Sequence, residues 1–305
     1  TLDGNDSGTV LTVSGASVKL DHVRVRHGDG GYGGGIWSSG TLSLTHGSSV
    51  RGNSAASYGG GIFNTGTLRL RDTSSVGSNT AHRGGGIYTD QGGTTILRGF
   101  SSVSGNTAEF AGGIVSYGTL IMDGSSSVSG NTARDGAGGI LNYSTLTMNG
   151  SSSVSGNITT GVRVWVQGGG IFNFGTVTMN DSSSVSGNTA RDGAGGGVYT
   201  AGDDVSLHGS ASVSGNTASW GGGIFTWFSR ITLSDSSSVS GNTATGGGGG
   251  IRSCDPVIGA TDANVFNNQP DDVYIADCSD WSPGPLSRPS PPLNHNASPS
   301  PGPRP

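Results

Sequence analysis

Apolar residues in this chain come singly, in short alternating runs: G-I-F-N at 61–64, S-V-S at 102–104, T-L-T-M at 145–148. A period of two sends the apolar side chain to one face and its polar neighbours to the other, which predicts β-strands. Runs of three to five residues are too short to form a stable sheet alone, but these runs recur. Ile36, Ile62, Ile87, Ile114, Ile140, Ile171, Val198, Ile224 and Ile251 are separated by 26, 25, 27, 26, 31, 27, 26 and 27 residues. Val50, Val76, Val103, Val128, Val154, Val185, Val213 and Val239 keep the same beat, as do Leu42, Leu68, Ile96, Leu120, Leu146, Val177, Val205 and Ile231. Identical runs stacked coil on coil supply each other's backbone hydrogen bonds and join the apolar rows into one core. The pattern therefore predicts an all-β chain, a parallel β-solenoid of nine or ten coils with about three strands per coil. At about 4.8 Å per coil the rod is on the order of 45 Å long.

The glycine runs before each Ile are read as corners with positive φ. The single spacing of 31 comes from I-T-T-G-V-R-V-W-V-Q (158–167), an expected loop carrying Trp165. The Asn of V-S-G-N also recurs, at Asn53, Asn79, Asn106, Asn131, Asn157, Asn188, Asn216, Asn242 and Asn268. One amide per coil at one corner predicts a structural ladder, each side chain bonding the next.

Composition fits a narrow solenoid. The chain has 305 residues, 59 of them Gly, and only 31% are apolar, against about 45–50% for an ordinary globular domain. Lys19 and Glu109 are the sole Lys and Glu. So much glycine disfavours helices, and the absence of a strict three-residue glycine period excludes collagen. A formal net charge of −5 with both signs scattered gives no basic stripe for nucleic acid and no polybasic patch for lipid. No apolar stretch is long enough to cross a membrane as a helix. The opening T-L-D-G-N-D-S-G is no signal peptide. It reads like a chain already inside a repeat, so the expectation is a mature or excised fragment.

The units V-x-G-N-T-A and G-G-G-I-(F/Y), over roughly residues 20 to 270, resemble the repeats of the chlamydial polymorphic outer-membrane protein family, which carry F-x-x-N and G-G-A-(I/L/V). Here Val stands for the Phe, and Gly usually for the Ala. The resemblance implies a right-handed parallel β-helix; no autotransporter β-barrel follows, so it does not imply bacterial surface anchoring.

Residues 1–281 are expected to form the solenoid, with a cap at 252–281, and residues 282–305 a Pro/Ser-rich tail. The tail is expected to be extended polyproline II or a linker. It resembles the hydroxyproline-rich modules of algal and plant extracellular matrix glycoproteins. That likeness implies hydroxylation and O-glycosylation at Pro283, Pro285, Pro289, Pro291, Pro292, Pro299, Pro301 and Pro303; the alternative is a plain low-complexity end.

Cys254 and Cys278 are the only cysteines. They are read as a disulfide stapling the cap, contributing roughly 3 kcal/mol through loop entropy and implying an oxidising, extracellular compartment; two buried thiols are the alternative. N-x-(S/T) sequons at Asn5, Asn142, Asn149, Asn180 and Asn296 are candidate glycosylation sites. Asn157 also sits in one, but as a ladder residue it has little room for a glycan.

A β-helix hydrolase or lyase needs clustered carboxylates, a metal site, or a catalytic Arg or Lys. The carboxylates here are dispersed. Asp72, Asp181 and Asp235, with Asp123 shifted by one, read as turn-forming residues that cap local amides. Arg134-Asp135 and Arg191-Asp192 read as exposed pairs of small energetic value. Asp203-Asp204 has no evident basic partner, and Asp271-Asp272 belongs to the cap. His22 and His27 are read as a solvated strand face with too few ligands nearby for a metal. No catalytic, cofactor or metal residue is assigned. Trp37, Phe63, Tyr88, Phe172, Tyr199 and Phe225 each follow the glycine-run Ile or Val, a column that is either an inter-coil stack or an exposed binding stripe; Trp220, Trp227 and Phe228 thicken the same region.

The reading that fits these features best is a non-enzymatic extracellular structural or adhesive glycoprotein of a cell wall, sheath, filament or appendage, with the tail as tether. Its expected partners are further copies, head-to-tail or side by side, or other matrix and surface proteins and glycans. A polysaccharide-binding or polysaccharide-degrading β-helix is one alternative; the other is an ice-binding solenoid, whose regular hydroxyl arrays the stacked S-V-S rows and the T-x-T runs at Thr145–Thr147 and Thr176–Thr178 resemble.

Overall fold

The computed structural model describes residues 1–161 and 167–276. The chain winds as a parallel β-solenoid of about ten turns, built from four sheets rather than three. The Val sheet runs from Leu2–Asp3 to Val265–Phe266 and the Ile sheet from Leu11–Val13 to Val273–Ile275, with eleven described strands each. The Leu sheet, from Ser17–Asp21 to Ile231–Leu233, has nine described strands; the Ala sheet, from Asp29–Tyr32 to Thr243–Gly247, has nine on its main path and a tenth, Gln167–Gly168, beside it. The fourth sheet is the segment after the ladder Asn, T-A-x-x in most coils. Its inward residue is only an Ala, such as Ala81, Ala108 or Ala133, so it added little to the hydrophobic pattern.

Register follows the repeat. Ile62 pairs with Ile36 and Ile87, and Val128 with Val103 and Val154. A typical coil sends one Ile, one Val and two Leu or Met inward, nearly all inaccessible to water, with Val or Ile in the first Leu row at Val177, Val205 and Ile231 and Val198 in the Ile row. Full burial of each such side chain contributes about 1.5–3 kcal/mol, so the load is shared evenly along the rod. One expected core position differs. Leu68 pairs with Thr95, not Ile96. Ile96 faces outward beside Arg69 and Ile121, and Thr95 points inward, its hydroxyl paired with that of Thr89 at 2.6 Å. The T-T-I-L run alternates Thr94 and Ile96 outward with Thr95 and Leu97 inward, so its apolar Ile96 falls on the outer file. A second inward row on this sheet, Leu44, Leu70, Leu97, Met122, Met148, Met179, Leu207 and Leu233, completes the core.

The glycine runs serve two ends. Gly59 turns the chain with φ +65°, a conformation a side chain resists. The next glycine, Gly60, lies so close to the following coil that a Cβ would collide with the carbonyl oxygens of Thr80 and Gly85.

Candidate functional site

The ladder positions are the deepest polar feature. From Asn53 to Asn268 each Nδ2 donates to the Oδ1 of the next Asn at 2.9–3.0 Å. The same Oδ1 accepts the previous Asn's backbone N–H. The second Nδ2 proton reaches a Val carbonyl of the preceding coil, as from Asn131 to Val103 at 3.0 Å. Both ends are closed. Gly28 N donates to Asn53 Oδ1, and Asp272 Oδ1 accepts from Asn268 N and Nδ2 at 2.9 and 2.8 Å. Asp271 Oδ1 receives the N–H groups of Gly248 and Gly249, so the cap carboxylates replace a missing next coil.

The aromatic column is not an exposed stripe. Phe63, Tyr88, Phe172, Tyr199 and Phe225 are buried, and only Trp37, near the N-terminal end, is half-exposed. Rings from two other places close over them: Tyr58 at the end of an Ala-sheet strand, and Tyr117, Tyr143, Phe174 and Trp227 three residues after the glycine-run Ile. Tyr58 stacks on Tyr88 at 4.7 Å, Tyr117 on Tyr143 at 4.2 Å, and Tyr143 on Phe174 at 5.0 Å. Trp227 Nε1 donates to Tyr199 Oη, while Phe228 remains exposed. This is a second core outside the solenoid tube. Burial pushes the Tyr88 and Tyr199 phenols well above their ordinary range. At its C-terminal end Arg252 takes the place of the next ring, pairing with Phe225 in register and lying 4.4 Å from the Trp220 ring and 4.8 Å from that of Tyr274. Burial lowers its pKa.

The outer face of the Val sheet remains open. Its two outward files are serine in six consecutive strands, from Ser102–Ser104 to Ser238–Ser240. All twelve are half-exposed. Beyond the Gly-Asn corner the Ala sheet adds a third file: Thr107, Thr132, Ile158, Thr189, Thr217 and Thr243. The register sets these hydroxyls at about 4.8 Å along the rod and about 6.5–7 Å between the Ser files. The result is a regular, uncharged hydroxyl lattice. The signal is present in the sequence as the stacked S-V-S runs.

Several ionisable groups are partnered across coils rather than within the local turn. Asp72, Asp181 and Asp235 share φ 57° and accept N–H bonds from the corner one coil back: His46, Gly150 and Gly209. The Gly209 amide is the main cause of the lowered Asp235 pKa. Asp123 caps its own neighbour, Gly124, and meets Arg98 at 3.4 Å. Asp204, expected to lack a partner, lies 3.8 Å from Arg230. Asp135, expected to be exposed, is buried and accepts from Gln167 Nε2 at 3.3 Å; Asp192 is exposed. His27 meets Asp3 at 3.0 Å. His22 does not stand alone on its face, because the register puts it beside His46 of the next coil.

The sequons divide by burial. Asn142 is 0% exposed and bonds to Asn173 Oδ1 at 2.7 Å, so the folded chain has no room for a glycan there. Asn149 and Asn180 are half-buried and paired, Asn180 Nδ2 donating to Asn149 Oδ1 at 2.9 Å. Asn5 is exposed. Cys254 is disulfide-bonded. Cys278, Asn296, Trp165 and the tail prolines lie outside the described residues. No protein family, curated protein or solved structure matches the chain.

Proposed function

We propose that the chain is a non-enzymatic, extracellular structural or adhesive solenoid, a wall, sheath, filament or appendage subunit, that makes contact through the hydroxyl lattice of its Val sheet. The observation that carries this is the two serine files in register over six strands. A flat array of short hydroxyls loses little side-chain entropy on contact, and presents donors and acceptors at a fixed repeat to another repeating surface. A second copy of the rod and a hydroxyl-rich polysaccharide both have such surfaces. The disulfide at Cys254 supports an oxidising compartment. The exposed Ile258, Phe266, Tyr274 and Ile275 of the last coil support a head-to-tail version of the assembly.

Co-sedimentation with insoluble cell-wall polysaccharide, and with itself, tests the reading. The wild type should pellet, and the double variant Ser155→Lys/Ser186→Lys should stay in solution. Lysine fits these files, since Arg51 occupies one of them opposite Gly77. Equal behaviour of the two proteins would reject the lattice as the contact surface. A second reading, ice binding, is favoured by the outward Thr145, Thr147, Thr176 and Thr178 of adjacent Leu-sheet strands. Thermal hysteresis in the wild type, lost on substituting these threonines, would select it.

A further inference from the structure

The left-handed corner that follows each Leu-sheet strand is occupied along the rod by His22, His46, Asp72, Gly99, Gly124, Gly150, Asp181, Gly209 and Asp235, with φ between 48° and 69°. Glycine and aspartate serve this corner in seven coils. The first two carry histidine instead, a departure the turn itself does not require.

Those two imidazoles lie on top of each other, with centroids 5.6 Å apart and planes 10° from parallel. Asp21, the last residue of the first Leu-sheet strand, sits between them. Its Oδ1 is 2.6 Å from His22 Nδ1 and 3.1 Å from His46 Nδ1. The far nitrogen of His46, Nε2, lies 3.6 Å from Asp72 Oδ2. One donor atom from each of Asp21, His22 and His46 falls within 4.8 Å of the others.

We propose that Asp21, His22 and His46 form a binding site for a borderline divalent transition metal of the Zn2+ or Cu2+ class, with Asp72 as the residue that orients His46. Two imidazoles and a carboxylate are the ligand set these ions select over Ca2+ and Mg2+. Metal–ligand bonds of about 2.0–2.1 Å in a tetrahedral site put ligand atoms about 3.3 Å apart, close to the 2.6 and 3.1 Å that separate Asp21 Oδ1 from the two Nδ1 atoms. A carboxylate behind the distal nitrogen of a ligating histidine fixes its tautomer and ring orientation, which is where Asp72 stands. Exposed ligands leave the remaining positions to water or to a donor from another surface. Lys19, whose Nζ is 2.9 Å from Asp21 Oδ2, opposes a cation here. Both side chains are exposed, so a divalent ion displaces the lysine at small cost. This inference is independent of the hydroxyl lattice.

The test is calorimetric titration of the full chain with Zn2+ at pH 7.5, with His22→Gly, His46→Gly and Lys19→Ala compared to wild type. Glycine is the residue of this corner in four other coils, so the fold is kept, and far-UV circular dichroism checks it. The wild type should take up one Zn2+ that each His variant weakens at least tenfold, and Lys19→Ala should tighten it. Wild-type uptake no greater than that of the His22→Gly/His46→Gly double variant would overturn the proposal, as would weaker binding by Lys19→Ala.

Discussion

Removing one amide from the middle of the ladder should cost far more than its size implies. The Asn131 side chain takes part in four hydrogen bonds. It donates to Asn157 Oδ1 and to the Val103 carbonyl, and accepts from Asn106 N and Asn106 Nδ2. In Asn131→Ala, Asn157 Oδ1 keeps the Asn131 backbone donor, and Asn106 Nδ2 keeps its bond to the Val76 carbonyl. The Asn106 backbone N–H keeps nothing and stays buried. Four bonds at about 1 kcal/mol each give about 4 kcal/mol, of which the orphaned N–H alone accounts for about 1–3 kcal/mol. Urea unfolding followed by circular dichroism measures it, with Ser129→Ala as a surface control expected to stay within about 0.5 kcal/mol of wild type. Because each coil contacts only its neighbours, the loss should appear as local opening around the altered coil before global unfolding. A cost below about 1 kcal/mol would refute the ladder as a principal source of stability.

Other changes should stabilise. The buried Tyr88 hydroxyl has no hydrogen-bond partner, and Phe63 occupies the equivalent place one coil earlier, so Tyr88→Phe should raise stability by about 1 kcal/mol in the same urea assay. The hydroxyls of Ser126, Ser152 and Ser183 are likewise buried without partners, and Ala211 stands in their row one coil beyond Ser183. Ser152→Ala should therefore be neutral or stabilising by up to about 1 kcal/mol, and a loss of that size would contradict the assignment. The Asp21 carboxyl is held well below its ordinary range, first by Lys19 and then by His46 and His22. A depressed carboxylate pKa means the contribution is complete above the unfolded value near pH 4 and is lost as the pH falls through the lower folded value. Carbon-13 NMR should show Asp21 titrating below pH 3.8, with Lys19→Ala moving the midpoint upward.

The solenoid was legible because its strongest signals are periodic: the Ile and Val rows and the Asn of each coil mark register without any tertiary information. The fourth sheet was not, since an inward Ala gives almost no hydropathy contrast with Ser and Thr. Ile96 misled for the converse reason, an apolar residue on the wrong side of an alternation whose inner place Thr95 takes. The aromatic residues were found, but their burial depends on rings supplied by neighbouring coils and by a different sheet, which spacing alone does not reveal. His22 and His46 lie 24 residues apart in sequence, and only the register of Asp21 with Thr45 brings them together. The serine rows are visible in the sequence as a hydroxyl array, but that the face they share is open comes only from the register and burial of the Val sheet.

Electron microscopy of the purified full chain beside Ser155→Lys/Ser186→Lys tests the contact surface most directly. Ordered filaments or side-by-side rafts of rods in the wild type, reduced to single rods by the two lysines, are the predicted result. Single rods in both proteins, or ordered assemblies indifferent to the substitutions, would contradict self-assembly through the hydroxyl lattice.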